Sequence, residues 1–327
     1  MHLASTRPHP RAALRRSLAL VLLLLTLGAL TAPWRAEAQA APAFPSVGTR
    51  FDAVGPYAVT VARESAHTYY SPTTLGANGL RHPVILWGNG TFNTPSTYDA
   101  FLRHLASHGF IVVAANTSNS GTGREILAGL DNLTAKNGQS TNRFFAKVDL
   151  TRVAAMGYSQ GGGGAMNAAR DPRVDTTVAI QPWQASTSGI RVPTLYVAGS
   201  SDAVVSSSSV RGYFNASTGV PAAFGVFGGA THFEVLGDGG RFRGPATAWV
   251  RYFLMADANA KSTFIGASCT LCTSSALTEY RTNGRLATAL PIGGGTTPPP
   301  TTAPPAPTTS TTAPSPTCGW WNWWYCR

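Results

Sequence analysis

Six short apolar runs punctuate the middle of the chain, at 84–88, 111–117, 153–158, 176–181, 194–199 and 222–227. They are rich in Val, Ile and Ala, and apolar on consecutive positions. Strands of a parallel sheet covered on both faces read this way, because neither face meets water. Between them lie segments with helical spacing. The segment 96–108 opens on a Pro-Ser start signal and places Phe101, Leu102 and Leu105 on one face. Further helices are expected over 123–137, 162–170 and 243–258. An earlier stretch, 57–70, alternates more and predicts antiparallel strands ahead of the parallel ones. Repeated strand–helix alternation defines an α/β chain, with a mostly parallel central sheet flanked by helices on both faces.

The two ends break this pattern. Arg7, Arg11, Arg15 and Arg16 precede an apolar stretch of 13 residues at 18–30, and small residues then offer cleavage after Ala38 or Ala40. This reads as a signal peptide over 1–40 and a secreted product, with no membrane span left after its removal. A membrane anchor is the other reading, but a span needs about 20 apolar residues. Residues 291–317 are almost wholly Pro, Thr, Gly, Ala and Ser, the composition of a disordered, extended linker. The catalytic domain is therefore expected over 41–290. The last ten residues, 318–327, carry Trp320, Trp321, Trp323 and Trp324 between Cys318 and Cys326. A Cys318–Cys326 disulfide would close a small loop that cannot bury four indoles. Such a tail suits adsorption to a solid surface or a polysaccharide. It could instead pack back on its own catalytic domain.

Composition narrows the class. Hydrophobic residues make up 43% of the 327 and charged residues 12%, which excludes disorder throughout. Lys and Arg number 25 against 14 Asp and Glu, for a net charge of +11 that falls to +7 without the leader. The charge is thinly spread, with no basic run, so nucleic acid is not an expected partner. The four cysteines form two close pairs, Cys269/Cys272 and Cys318/Cys326, both available for disulfides in an oxidising compartment. Cys269-Thr-Leu-Cys272 follows the last expected helix instead of opening one after a strand. It is therefore read as a structural bridge, not a redox motif.

The chemistry lies directly after the third apolar run. Gly157-Tyr158-Ser159-Gln160-Gly161 is G-x-S-x-G between a strand and a helix. Ser159 would stand at the tip of a sharp turn, with side-chain-free positions on both sides and a helix N-terminus behind it. A serine hydroxyl needs a base and an orienting carboxylate. In the fold that carries this motif, the α/β-hydrolase fold, the carboxylate and then the histidine follow the serine. His232 is the one histidine after Ser159, in a loop after the last apolar run. Asp202 follows the run at 194–199 through a short turn; Asp171, Asp175, Glu234 and Asp238 are weaker rivals. The oxyanion hole is assigned to the backbone N–H groups of Gln160 and Thr91, the latter in Gly88-Asn89-Gly90-Thr91 with Asn89 as its rival. His104 and His108 share a helix face and read as structural; no metal and no cofactor is expected.

These segments, taken in order, resemble the bacterial cutinase-like polyester hydrolases, the group that includes PET hydrolases. The resemblance runs through Leu105-Ala-Ser-His-Gly-Phe110, Ser159-Gln-Gly-Gly-Gly163, Pro182-Trp183, Val192-Pro-Thr-Leu195 leading to Asp202, Gly229-Ala-Thr-His-Phe233, Ala248-Trp249 and Ser262-Thr-Phe264. It implies that Trp183 lines the substrate groove and can stack on an aromatic or acyl unit. It also implies that Thr91 occupies the oxyanion-donor position. Gln160 stands where many relatives carry Met, Tyr158 where they often carry His or Trp, and Thr91 where an aromatic residue is common. These changes reshape the groove wall. The expectation is a secreted serine ester hydrolase acting through Ser159, His232 and Asp202 on polyesters or other water-insoluble esters. A lipase or carbohydrate esterase held on a polysaccharide by the tail is the alternative. A non-catalytic surface-binding protein is the remote one.

Overall fold

The computed structural model of the protein describes residues 43–292. The leader, the linker from 293 onward, and the tail with Cys318 and Cys326 lie outside the described residues. The strands are β1 (Val59–Arg63), β2 (His67–Pro72), β3 (His82–Gly88), β4 (Ile111–Ala115), β5 (Val148–Tyr158), β6 (Thr176–Ile180), β7 (Thr194–Gly199), β8 (Ala222–Phe227) and β9 (Leu277–Thr282). They form one sheet in the order β1-β2-β4-β3-β5-β6-β7-β8-β9. Neighbours from β4 to β8 pair in parallel, whereas β1, β2 and β9 join antiparallel. The helices are α1 (Asp99–Ser107), α2 (Arg124–Gly138), α3 (Gln160–Ala168), α4 (Ser207–Ala216), α5 (Arg243–Met255), α6 (Ala258–Lys261) and α7 (Gly284–Ala287).

Successive strand residues point to opposite faces. Ala154, Met156 and Tyr158 of β5 join a core with Phe101 and Leu105 of α1 and Trp249 and Phe253 of α5. Val153 and Ala155 join a second core with Ile126 and Leu130 of α2 and Ala165 of α3. Val210 and Phe214 of α4 pack with Tyr196 and Phe224 beside it. Both faces are covered, so the parallel strands carry consecutive apolar residues through their central stretches.

Four elements are absent from the sequence pattern: α4, the short helices α6 and α7, and strand β9. Helix α4 buries only Val210 and Phe214 and starts in a serine run, where Ser206 accepts a hydrogen bond from the Ser209 N–H. Strand β9 is a half-exposed edge strand laid on β8. Cys269 and Cys272 are bridged. Because β9 and α7 follow, the bridge ties the segment ahead of the last strand, not the end of the fold. Among the described residues, no helix is long and apolar enough to cross a membrane.

Strands β3, β5, β6, β7 and β8 all run the same way, so the loops after them gather along one edge of the sheet. That edge is where open α/β sheets place ligands.

Candidate active site

Strand β5 ends at Tyr158 and α3 starts at Gln160, leaving Ser159 alone to turn the chain. Its backbone sits at φ 54° and ψ −121°, a region that costs a non-glycine residue on the order of 1–3 kcal/mol. Hydrogen bonds hold it there. The Ser159 N–H donates to the Ile180 carbonyl, and the Ser159 carbonyl accepts from Gly163 and Trp183. Close approach explains the flanking glycines. A Cβ on Gly157 would lie 2.2 Å from the Gly161 oxygen, and one on Gly161 would lie 2.2 Å from the Gly88 oxygen.

Ser159, His232 and Asp202 come from three different loops and meet in one line. The Ser159 Oγ is 3.0 Å from His232 Nε2, and His232 Nδ1 is 2.7 Å from Asp202 Oδ2. An ionised carboxylate only accepts, so Nδ1 carries the proton and Nε2 is left to accept from the serine hydroxyl. All three are buried. The carboxylate is fully engaged. Its Oδ1 accepts from the Val204 and Val205 N–H groups at 2.8 Å each. Its Oδ2 accepts from His232 and, at 2.6 Å, from Gln181 Nε2. Burial pushes the Asp202 carboxyl up, but the bonds from His232, Val205 and Val204 outweigh it and hold the group below the usual carboxylate value.

The other expected residues take distinct places. Gln160 presents a first-turn N–H of α3, a donor the helix itself cannot satisfy. Its side chain turns to the loop before α2, accepting from the Ser120 N–H at 3.1 Å. Thr91 lines the cleft, and among the described residues its N–H has no hydrogen-bond partner. Asn89, its rival, is buried elsewhere: it donates to the Ala115 and Thr117 carbonyls and accepts from Trp87. Tyr98 steadies the same loop by accepting from the Gly90 N–H. Of the rival acids, Asp175 accepts from the Val153 N–H, while Glu234 and Asp238 pair with Arg241 and Arg243. None of these three reaches His232.

A cleft of about 370 Å³ opens on this line, walled by Thr91, Asn93, Tyr158, Trp183, Val204 and Phe233. Its rim is apolar and wet. Trp183 is 40% exposed, Val204 56% and Phe233 63%, and Phe92 beside Thr91 is 93% exposed. Tyr158 packs its ring 4.9 Å from that of His232. Sequence reasoning found Trp183 but missed Val204, Phe233, Phe92 and Gln181. Adjacency to Asp202 was the available signal for Val204; the other three give no local signal. The arrangement can deliver a hydroxyl oxygen, relay its proton, and receive an apolar acyl or aromatic unit beside it.

The family model for PET hydrolase-like proteins matches residues 37–284. The chain is similar to a bis(hydroxyethyl) terephthalate hydrolase of Streptomyces coelicolor, with 27% identity over 277 residues, covering 76% of this chain and 86% of the relative. It is similar to cutinase est1 of Thermobifida alba, with 28% identity over 225 residues, 62% of this chain and 72% of that one. Cutinase cut1 of Thermobifida fusca is 26% identical over 243 residues, 68% of this chain and 73% of the relative.

Proposed function

The chain belongs to the PET hydrolase-like family, and on that premise we propose that it is an exported serine ester hydrolase that cuts polyesters or other water-insoluble esters. Ser159 Oγ attacks the ester carbonyl as its proton passes to His232 Nε2. Asp202 holds the imidazole in the Nδ1–H tautomer and stabilises the imidazolium. The carbonyl oxygen, now negative, accepts from the Gln160 and Thr91 N–H groups. Collapse expels the alcohol, which takes the proton from His232, and leaves an acyl-serine. Water then attacks the acyl carbon, gives its proton to His232, and frees the acid as Ser159 recovers its own. The residues do all of this without a cofactor.

The observation that carries this reading is the hydrogen-bonded line from Ser159 to Asp202 at the floor of the cleft. The substrate class rests on the rim. Trp183, Val204 and Phe233 leave apolar surface in water at the mouth of the site, which a solid ester surface would cover. Trp183 is positioned to stack on an aromatic or acyl unit. Around the catalytic domain at 41–290 we place a signal peptide at 1–40, a linker at 291–317 and an adsorbing tail closed by Cys318 and Cys326.

The test compares a short p-nitrophenyl ester with an aliphatic polyester film, using wild type and Ser159→Ala. Turnover of both, lost in the variant, is the expected result. Turnover of the soluble ester alone would move the function to a small-ester or carbohydrate esterase. Equal retention on film, cellulose and chitin with and without 318–327 would remove the role of the tail.

A further inference from the structure

Gln181 follows β6, in a position with no place in the nucleophile–base–acid sequence pattern. Its side chain is fully buried and its backbone sits at φ 43°, a left-handed conformation that a glutamine adopts at a cost. The backbone is pinned by donation from its N–H to the Val197 carbonyl at 2.8 Å. The carboxamide then spans two loops. Nε2 donates to Asp202 Oδ2 at 2.6 Å and to the Thr231 carbonyl at 2.9 Å, while the buried Oε1 has no partner among the described residues. A strained backbone and an unpaired buried oxygen both cost stability, so the position is not explained by packing alone.

We propose that Gln181 is the positioning residue of the catalytic line, clamping the Asp202 carboxylate to the loop that carries His232. This rests on the triad reading above. Of the four donors to Asp202, Val204 and Val205 belong to its own loop, and His232 must move protons during turnover. Gln181 is the remaining donor and comes from a different loop, the one after β6. It fills the last acceptor site of the carboxylate, so the carboxylate plane cannot turn away from Nδ1. By holding the carbonyl of Thr231, it also fixes the residue immediately before His232. Because it shares Oδ2 with His232, it draws off part of the carboxylate charge that would otherwise favour the imidazolium. Of the other groups facing His232, the Tyr158 phenol is pushed up by burial and stays neutral.

The experiment uses the mature chain with a soluble p-nitrophenyl ester. Gln181→Met keeps the length and removes the donor. Gln181→Gly removes the side chain and suits the positive φ, so it relieves backbone strain. Both variants are expected to lose roughly 10- to 100-fold in kcat with KM within about twofold, the effect of a small misplacement of the base. The acidic limb of kcat/KM should also move, upward where the freed carboxylate still faces Nδ1 and downward where it turns away from the ring. In an Asp202→Ala background, the kcat loss from Gln181→Met should shrink severalfold, since the carboxylate is gone and only the hold on the Thr231 carbonyl remains. An unmoved acidic limb in both variants, or an undiminished kcat loss in the Asp202→Ala background, would overturn the proposal. Unchanged turnover in Asp202→Ala itself would instead overturn the triad reading.

Discussion

Acidification from pH 7.5 to 5 should strip about 4 kcal/mol of stability from this fold through His104 and His108. Both rings are buried on or just after α1, with centroids 4.7 Å apart. His104 Nε2–H donates to the Phe51 carbonyl at 3.0 Å, with Thr247 Oγ1 at 3.1 Å, and His108 Nε2–H donates to the Ala53 carbonyl at 3.0 Å. A second proton would put an N–H on His108 Nδ1, which is buried without a partner among the described residues. Burial, then the neighbouring His108, holds the His104 pKa down at about 3; burial holds that of His108 at about 4. The unfolded chain titrates near 6.5. The folded values are depressed, so the unfolded state binds more protons as the pH drops. Stability is therefore intact above about pH 7 and is lost below it, by up to about 1.4 kcal/mol per pH unit for each ring. At pH 5 each ring has removed about 2 kcal/mol. Asp175 works the other way. Burial raises its pKa to about 6, which returns roughly 1–2 kcal/mol over the same window. The assay is guanidinium unfolding at pH 7.5, 6 and 5 on wild type and His104→Gln/His108→Gln, in which the amide can still donate. The double variant should lack the net fall in stability that the wild type shows between pH 7 and 5, because the opposing Asp175 contribution remains. Identical slopes would refute the reasoning.

Asp202→Asn should cut kcat by about 10³- to 10⁴-fold on a soluble ester, because all four neighbours donate and the amide must turn its NH₂ against two of them. A loss below tenfold in steady-state turnover would contradict the placement of the carboxylate. Gly161→Ala sets a Cβ 2.2 Å from the Gly88 oxygen and 2.5 Å from that of Asn89. Overpacking there should cost roughly 1–3 kcal/mol or more and lower the melting temperature by several degrees. The displaced elbow should also reduce turnover, so an unchanged melt and rate would count against it. Removing the Cys269–Cys272 bridge as the double serine variant should lower the melting temperature by roughly 4–8 °C, from about 2 kcal/mol of loop entropy. Turnover at 25 °C should stay at the wild-type level, and an unshifted melt would show that the bridge carries no stability.

The parallel strands were legible because burial on both faces leaves runs of consecutive apolar residues, as in Val84–Leu86 of β3. The edge strand β9 was not, because Leu277, Glu279 and Arg281 mix exposure along six residues. Helix α4 hid in a serine run whose two buried side chains, Val210 and Phe214, sit one turn apart. At the site, Ser159 could be read because a strand–turn–helix makes local demands on glycine. Gln181 could not, because its partners Asp202 and Thr231 are 21 and 50 residues away and only the fold brings them to it. Phe92 and Phe233 reveal themselves only once exposure is known.

The central claim is that Ser159, activated by His232, is the nucleophile. Labelling with a fluorophosphonate probe and mapping the adduct by peptide mass spectrometry tests it most directly. The account requires one adduct per chain, on Ser159, absent from Ser159→Ala and slowed by orders of magnitude in His232→Ala. An adduct on another residue, or full ester turnover by a chain that has lost the Ser159 hydroxyl, would contradict it.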